Sequence, residues 1–500
     1  MGGGKIEYSR HLNSLRSQVY WSAHPLTMFL FLFFLTPIKS EESWTSEVVV
    51  AIKQKVYPGN FSVSNSLHNK ISFSGRTISI SEDISSWVLL LPQNSFIEGQ
   101  FNASDHSRFY IEIKSGPQKG KILDIISNDT NHLTIEKDTL FDIEQEFDFI
   151  LRKHITISQI FENIEPYLTA WADGIKFWDN KGNMLFFMWT GDSWIDFNYN
   201  NADEFPAHPG YGLIGAMAHA SPYFIRTGYI KDSDLLVKIW KHDPELWNQD
   251  LISPLLPIDH SLASLNILDQ IEEDKEVIQI TGFQDYTEKF YKSYGSFLSE
   301  DGIEDAGEDI LPAGVFFVLR NNETGFWRIP NPVVSDKLVG IDFKYDSSNG
   351  ILLLGWNKII GETYFIQHSF NAQNWHYLPI IESGSSSYAE VEVSASDFPL
   401  FLRLKGIDLQ SNQPELEDFD NDKVSNWEEL LQATDPLASL DKNTNNLPDD
   451  WEIYFGISEL GTNESEDTDA DGLSNASEFL QNTNPLSQDN PALKLKLLFP

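Results

Sequence analysis

Phe109-Tyr-Ile-Glu-Ile-Lys114 sets the fold class. From Ile111 on, apolar and charged residues alternate, the period of a strand with one face buried. Ile71-Ser-Phe-Ser-Gly75 and Leu133-Thr-Ile-Glu136 repeat the pattern. Gly, Pro, Asn and Asp break such runs from about residue 45 to 335, as turns between short strands do. The sequence therefore predicts a mainly β, multidomain protein, with Ile157–Ile164 and Thr287–Leu298 as candidate helices.

The 500 residues suit roughly three to four domains at ~100–200 residues each. Acidic residues number 74 and Lys plus Arg 35, a net charge of −39. Binding to phosphate backbones needs clustered cations, so nucleic acid is excluded as a partner. With 41% hydrophobic residues the chain can build real cores. It has no cysteine, which removes disulfides, cysteine metal sites and thiol catalysis.

Residues 1–25 carry Lys5, Arg10 and Arg16, and an apolar run follows from Leu26 to Leu35. Pro37 and Ser40 precede the acidic pair Glu41-Glu42. This order is that of a secretory signal peptide cleaved after Ser40. The run is short of the ~20 apolar residues of a bilayer span. The expected mature protein is secreted or at the cell surface, keeps no transmembrane span after signal cleavage, and fits a bacterial source.

The region 171–335 reads as duplicated. Ala172-Asp-Gly-Ile-Lys-Phe-Trp178, Leu185–Trp189, Trp194 and the turn leading to Ile214 find counterparts in Val277–Ile280, Phe290–Tyr294, Phe297 and Leu311-Pro-Ala-Gly-Val-Phe-Phe-Val318. Together with Phe109–Asp124, these segments resemble an uncharacterised family of exported β-rich bacterial proteins, mostly verrucomicrobial, over about residues 45–330. That resemblance implies export and no reaction. Residues 336–407 hold six strand candidates, among them Thr363–His368 and Phe401–Leu404, the density of a small β-sandwich. This part resembles fibronectin-III-like spacer modules. Trp375 and Tyr377 suit either its core or a sugar platform. The expected division is 1–40 signal, 41–170 and 171–335 β-rich body, 336–407 sandwich, 408–490 calcium-binding repeats and 491–500 tail.

Composition changes after Gly406. Between Asp408 and Asp489 stand 21 acids and 2 bases, a net of −19. Three twelve-residue windows order these acids. The first places Asp418, Asp420, Asp422, Val424, Asn426 and Glu429 at positions one, three, five, seven, nine and twelve. The second places Asp441, Asn443, Asn445, Leu447, Asp449 and Glu452 there, and the third Asp467, Asp469, Asp471, Leu473, Asn475 and Glu478. Calcium takes six to eight hard oxygens. A tight loop converges alternate side chains and the carbonyl at position seven on one point, and the glutamate closes the shell. Position six, which needs a left-handed backbone, is Gly472 in the third loop, Asn446 in the second and Lys423 in the first. The third loop is expected to bind tightest.

Asp418–Leu437 and Asp467–Leu486 are identical at 11 of 20 positions. Ser-Asn pairs can cap short helices at Trp427–Gln432 and Ala476–Gln481. Over residues 411–490 the pattern resembles thrombospondin type 3-like repeats of bacterial surface proteins. Entering helices of a true EF-hand are missing, and a dockerin would have two near-equal repeats. The expected cofactor is Ca2+, bound with removal of carboxylate repulsion, so that the region becomes stiff and extended.

No Gly-x-Ser-x-Gly elbow, His-Glu-x-x-His pair or phosphate loop is present. His208 and His219, with Asp203 or Glu204, form a weak metal alternative to a solvated turn. Two readings follow. One is a noncatalytic exported surface or matrix protein on a calcium-stiffened stalk, meeting surface or matrix glycans or proteins. The other is a secreted carbohydrate-binding protein or glycan-active enzyme with its site in residues 45–335.

Overall fold

A computed structural model describes residues 43–488, except 57, 104–106, 141, 180–182, 220, 242–249, 267, 269–275, 281–286, 300–303, 312, 314–315, 320–323, 334, 385, 396 and 458–463. The expected signal segment and the 491–500 tail lie outside the described residues. The chain is mainly β, with antiparallel sheets and few short helices.

Phe109–Ile113 forms as predicted and is an interior strand of a seven-stranded sheet. The order is Ile71–Arg76, Asp148–Lys153, Phe109–Ile113, Ile122–Asn128, His132–Glu136, Ser86–Leu90, Ser79–Glu82. Its two outermost strands are successive halves of one bent segment. At the bend Thr77 N donates to Phe147 O and Ile78 N to Leu90 O, so pairing passes from one neighbour to the other. The sheet thus curls around a core containing Trp87, Ile111, Leu133 and Phe149. The polar face of Phe109–Ile113 is buried too: Tyr110 and Glu112 are fully covered. The strand is not half solvated, because this face packs against the rest of the body.

Two stretches around this barrel share one strand pairing. In the first, Val49–Val56 pairs with Ser221–Tyr229, and a sheet runs Gly59–Ser64, Gly212–Met217, Gly174–Trp178, Met184–Trp189, Trp194–Ile195. In the second, Leu235–Ile239 pairs with Gly325–Ile329, and a sheet runs Asp250–Ile252, Phe316–Leu319, Glu276–Ile280, Thr287–Ser293, Ser296–Leu298. The barrel is inserted into the first stretch, after Gly59–Ser64. Its connector presses on the link between the stretches: Gly120, at φ 94°, lies against the Asp234 carbonyl, where a Cβ would sit 2.3 Å from the oxygen.

Ile157–Phe161 is helical and capped by Thr156 and Gln159. Thr287–Leu298 is not helical. Tyr294 and Gly295 both take positive φ and make a two-residue hairpin turn between Ser293 and Ser296. Phe290 and Phe297, one on each side of this turn, both lie in the core of the second stretch.

All six strands expected in 336–407 form, as two facing sheets over Leu354, Trp356, Tyr364 and Leu404. One of these sheets does not stop at the module. Leu400–Ile407 pairs with Thr363–Ser369 on one side and with Val49–Val56 and Trp44–Thr45 on the other. The acidic C-terminal part follows, with helices Asn426–Gln432, Asp449–Phe455 and Asn475–Gln481. Leu430 of the first packs on Phe365 and Tyr377 of the sandwich. Val424, Leu447, Trp451 and Ile457 form a second small core, with Phe479 against Trp451. The first loop is therefore docked on the sandwich rather than extended away from it.

Candidate metal centre

The three acidic windows fold alike. In the first, Asp422 N donates to Asp418 Oδ1 at 3.1 Å and Asp420 Oδ1 at 3.2 Å, Lys423 N to Asp418 Oδ2, and Val424 N to Asp422 Oδ1. In the third, Asp471 N donates to Asp467 Oδ1 at 3.1 Å and Asp469 Oδ1 at 3.0 Å, Gly472 N to Asp467 Oδ2, and Leu473 N to Asp471 Oδ1. The second repeats this with Asn445 N, Asn446 N and Leu447 N on Asp441, Asn443 and Asn445. Positions four and six are left-handed in all three loops. Lys423 has φ 74°, Asn446 φ 65° and Gly472 φ 94°. The first loop thus holds a lysine where only glycine is unstrained, at a cost on the order of 1 kcal/mol.

Ser425 and Ser474 cap the first and last helices as expected, accepting from Glu428 N and Ser477 N. These helices carry the position-twelve glutamates. Glu429, Glu452 and Glu478 are all buried.

In the first loop the consequence is a box of carboxylates. Ligand oxygens of Asp420, Asp422, Glu429 and Asp450 all lie within 4.8 Å of one another. Asp420 Oδ2, Asp422 Oδ2, both oxygens of Glu429 and Asp450 Oδ2 are buried without a hydrogen-bond donor. Burial first, and then the neighbouring carboxylates, push Glu429 up to about 10 and Asp420 up to about 8. Burial also raises Asp422 and Asp450 to about 6. A buried, unpaired carboxylate is costly unless a cation or donor meets it. An all-oxygen donor set of this charge suits a hard divalent cation.

In the third loop Asp467, Asp469 and Asp471 bring oxygens within 4.8 Å of one another. The second loop closes differently. Asn443 Nδ2 and Asn445 Nδ2 donate to the two oxygens of Glu452, at 2.9 and 2.8 Å.

Position nine is tied to the residue after position one in each case. Asn426 accepts from Phe419 N and donates to the Pro414 carbonyl, Asp449 accepts from Lys442 N, and Asn475 accepts from the Thr468 hydroxyl. Asp450 was invisible as a ligand in sequence, because it lies at position ten of the next window. The only sequence signal is a second acid directly after Asp449, behind Pro448.

The body holds a different cluster, of one acid with two imidazoles. Asp124, on a barrel strand, accepts from His154 Nε2 at 2.9 Å and His208 Nε2 at 3.0 Å. The expectation for His208 is corrected: it is neither a solvated turn residue nor grouped with Asp203, Glu204 or His219. Asp203 instead binds Trp194 N, and Glu204 pairs with Lys153. Despite burial, the two imidazoles hold Asp124 well below the usual carboxylate range. Burial lowers His154, whereas Asp124 outweighs burial at His208 and raises it. Nearby, His68 Nδ1 meets the Tyr110 hydroxyl at 2.8 Å, and buried Glu112 pairs with Lys231 and Lys114. The cluster thus fills the seam between barrel and body.

Neither aromatic singled out in the sandwich is a platform. Tyr377 is buried, and Trp375 lies under the Arg403 guanidinium, 4.0 Å from its ring centroid. Exposed rings occur instead at Trp171, Phe197 and Tyr199, around a hollow that Phe186 also lines. Among the described residues no helix is long and apolar enough to cross a membrane. No family model and no curated protein matches the chain.

Proposed function

We propose that the chain is an exported, noncatalytic surface or matrix protein whose C-terminal loops fold around calcium and hold its β-rich body for adhesion or display. The observation that carries this reading is the set of five donorless, buried carboxylate oxygens gathered at the first loop, four from the loop and one from Asp450. A divalent cation among the oxygens would supply the partner that these buried carboxylates lack. The backbone pattern shared with the third loop extends the reading to Asp467, Asp469, Asp471 and Glu478. It also supports kinship with thrombospondin type 3-like repeats, and the sandwich before them fits a fibronectin-III-like module. The common strand pairing of 49–229 and 235–329 supports a duplicated body of the exported bacterial type. Calorimetric titration with calcium, beside proteolysis with and without chelator, tests the proposal. Calcium uptake with protection of residues 408–488 is expected; no uptake at millimolar calcium overturns it.

A second reading has its own observation. Trp171, Phe197 and Tyr199 are 59%, 75% and 76% exposed, and Trp171 and Tyr199 hold positive φ, 63° and 64°. Strained, exposed aromatics suit a site that stacks on sugar rings. In this reading the body is a lectin. A glycan array separates the two: binding lost in Trp171→Ala supports the lectin, and an empty array removes it.

A further inference from the structure

The three loops share one backbone pattern but not one chemistry. At positions three and five, Oδ1 is engaged by a backbone N–H in every loop. The other terminal atom of the side chain is left for the interior of the loop. In the first loop that atom is Oδ2 of Asp420 and of Asp422, each buried without a donor. In the second it is Nδ2 of Asn443 and of Asn445, and both donate to Glu452. An amide NH2 has no lone pair to offer a cation. Turning these amides over would surrender the bonds from Asn445 N and Leu447 N. Glu452 therefore finds within its own loop the donors that Glu429 lacks.

Asp450 completes the contrast. It stands in the first turn of the helix Asp449–Phe455, which belongs to the second loop. Its carboxylate nevertheless lies with Asp420, Asp422 and Glu429 of the first loop, within 4.8 Å. It is 6% exposed, and its Oδ2 has no donor. The two helices are also joined by the Tyr454 hydroxyl, which donates to Glu428 Oε1 at 3.0 Å.

We propose that Asp450 is a ligand of the first loop's cation, so that this site spans two loops, and that the second loop binds no cation of its own. The proposal rests on the calcium reading above and refines it from three sites to two. The first cation then clamps the helix Asp449–Phe455 onto the helix Asn426–Gln432. The second loop acts as a strut closed by amide–carboxylate bonds.

Calcium titration of the full chain tests this, with ion content measured on the dialysed protein. Two sites are expected in the C-terminal region. Asp450→Asn should weaken one of them at least tenfold and leave the other unchanged. Glu429→Gln should remove that same site, and adding Asp450→Asn to Glu429→Gln should change the remaining site no further. Asn443→Asp with Asn445→Asp should create a third site. A thermal readout guards against a purely structural role. In chelator Asp450→Asn should raise the unfolding temperature of this region, because one repelling charge is gone; in calcium it should lower it. A shift of the same sign in both conditions, an unchanged affinity in Asp450→Asn, or three sites in the wild type overturns the proposal and leaves the calcium reading standing. No uptake by the wild type overturns both.

Discussion

The Tyr377 hydroxyl donates to Asp435 Oδ1 at 2.6 Å. Tyr377 belongs to the sandwich strand His376–Glu382, and Asp435 follows the helix Asn426–Gln432. This bond, with Leu430 set against Phe365, fastens the first loop to the sandwich. A hydrogen bond to a charged group contributes about 1.5–3 kcal/mol. Tyr377→Phe is therefore expected to destabilise the junction by about that amount in urea unfolding with calcium present, while calcium affinity at the third loop stays unchanged.

Calcium should stabilise the tail by mass action. At a hundred times Kd each site adds about 2.7 kcal/mol. Differential scanning calorimetry should show a C-terminal transition that rises with calcium and falls back with chelator. A transition indifferent to calcium would contradict the assignment.

Lys423 holds φ 74° inside the first loop. Lys423→Gly removes a left-handed strain on the order of 1 kcal/mol. It also removes a positive charge beside the site. The first loop should bind calcium about fivefold or more tightly, read by competition with a chelating dye.

Trp451 is almost fully buried between Phe455 and Phe479. Trp451→Ala should cost about 3–5 kcal/mol. The loss should fall on residues 408–488 and leave the sandwich intact, as limited proteolysis would reveal.

The Asp124 cluster predicts a pH dependence with three parts. The Asp124 carboxyl is depressed, so its stabilisation is present above the ordinary aspartate range and is lost only in stronger acid. His208 is raised, so its share is full below about 6.5 and is lost as pH climbs through its folded value. His154 is lowered, so the unfolded chain takes the proton first and stability falls as pH drops below about 6.5. In Asp124→Asn burial should outweigh the more distant carboxylates of Asp179 and Glu136 at His208. Its pKa, followed by NMR, should drop below that of a free imidazole; an unchanged value would refute the pairing.

What the sequence discloses is what short spacing encodes. Asp467, Asp469 and Asp471 are two apart, and two-residue spacing is itself the geometry that gathers them. Ile111 and Ile113 announce a strand for the same reason. What it hides are choices made between distant segments. Glu112 looks solvated until Lys231 is brought to it, and Asp124 looks like any strand-end acid until His154 and His208 arrive. Asp450 sits beside Asp449, and only the packing of two helices sends it to another loop. Thr287–Leu298, expected as a helix, is a hairpin, because Tyr294 and Gly295 both take positive φ and reverse the chain between Ser293 and Ser296.

The pairing of Val50 with Phe401 sets an order of events in synthesis. Val50 leaves the ribosome long before Phe401 has been made. Until then Val49–Val56 must wait with one edge open, a template for any passing strand. A strand near residue 50 that is sealed by one near residue 400 depends on being kept apart from neighbouring chains until its partner is made, and the folding rate is tied to closing so long a loop.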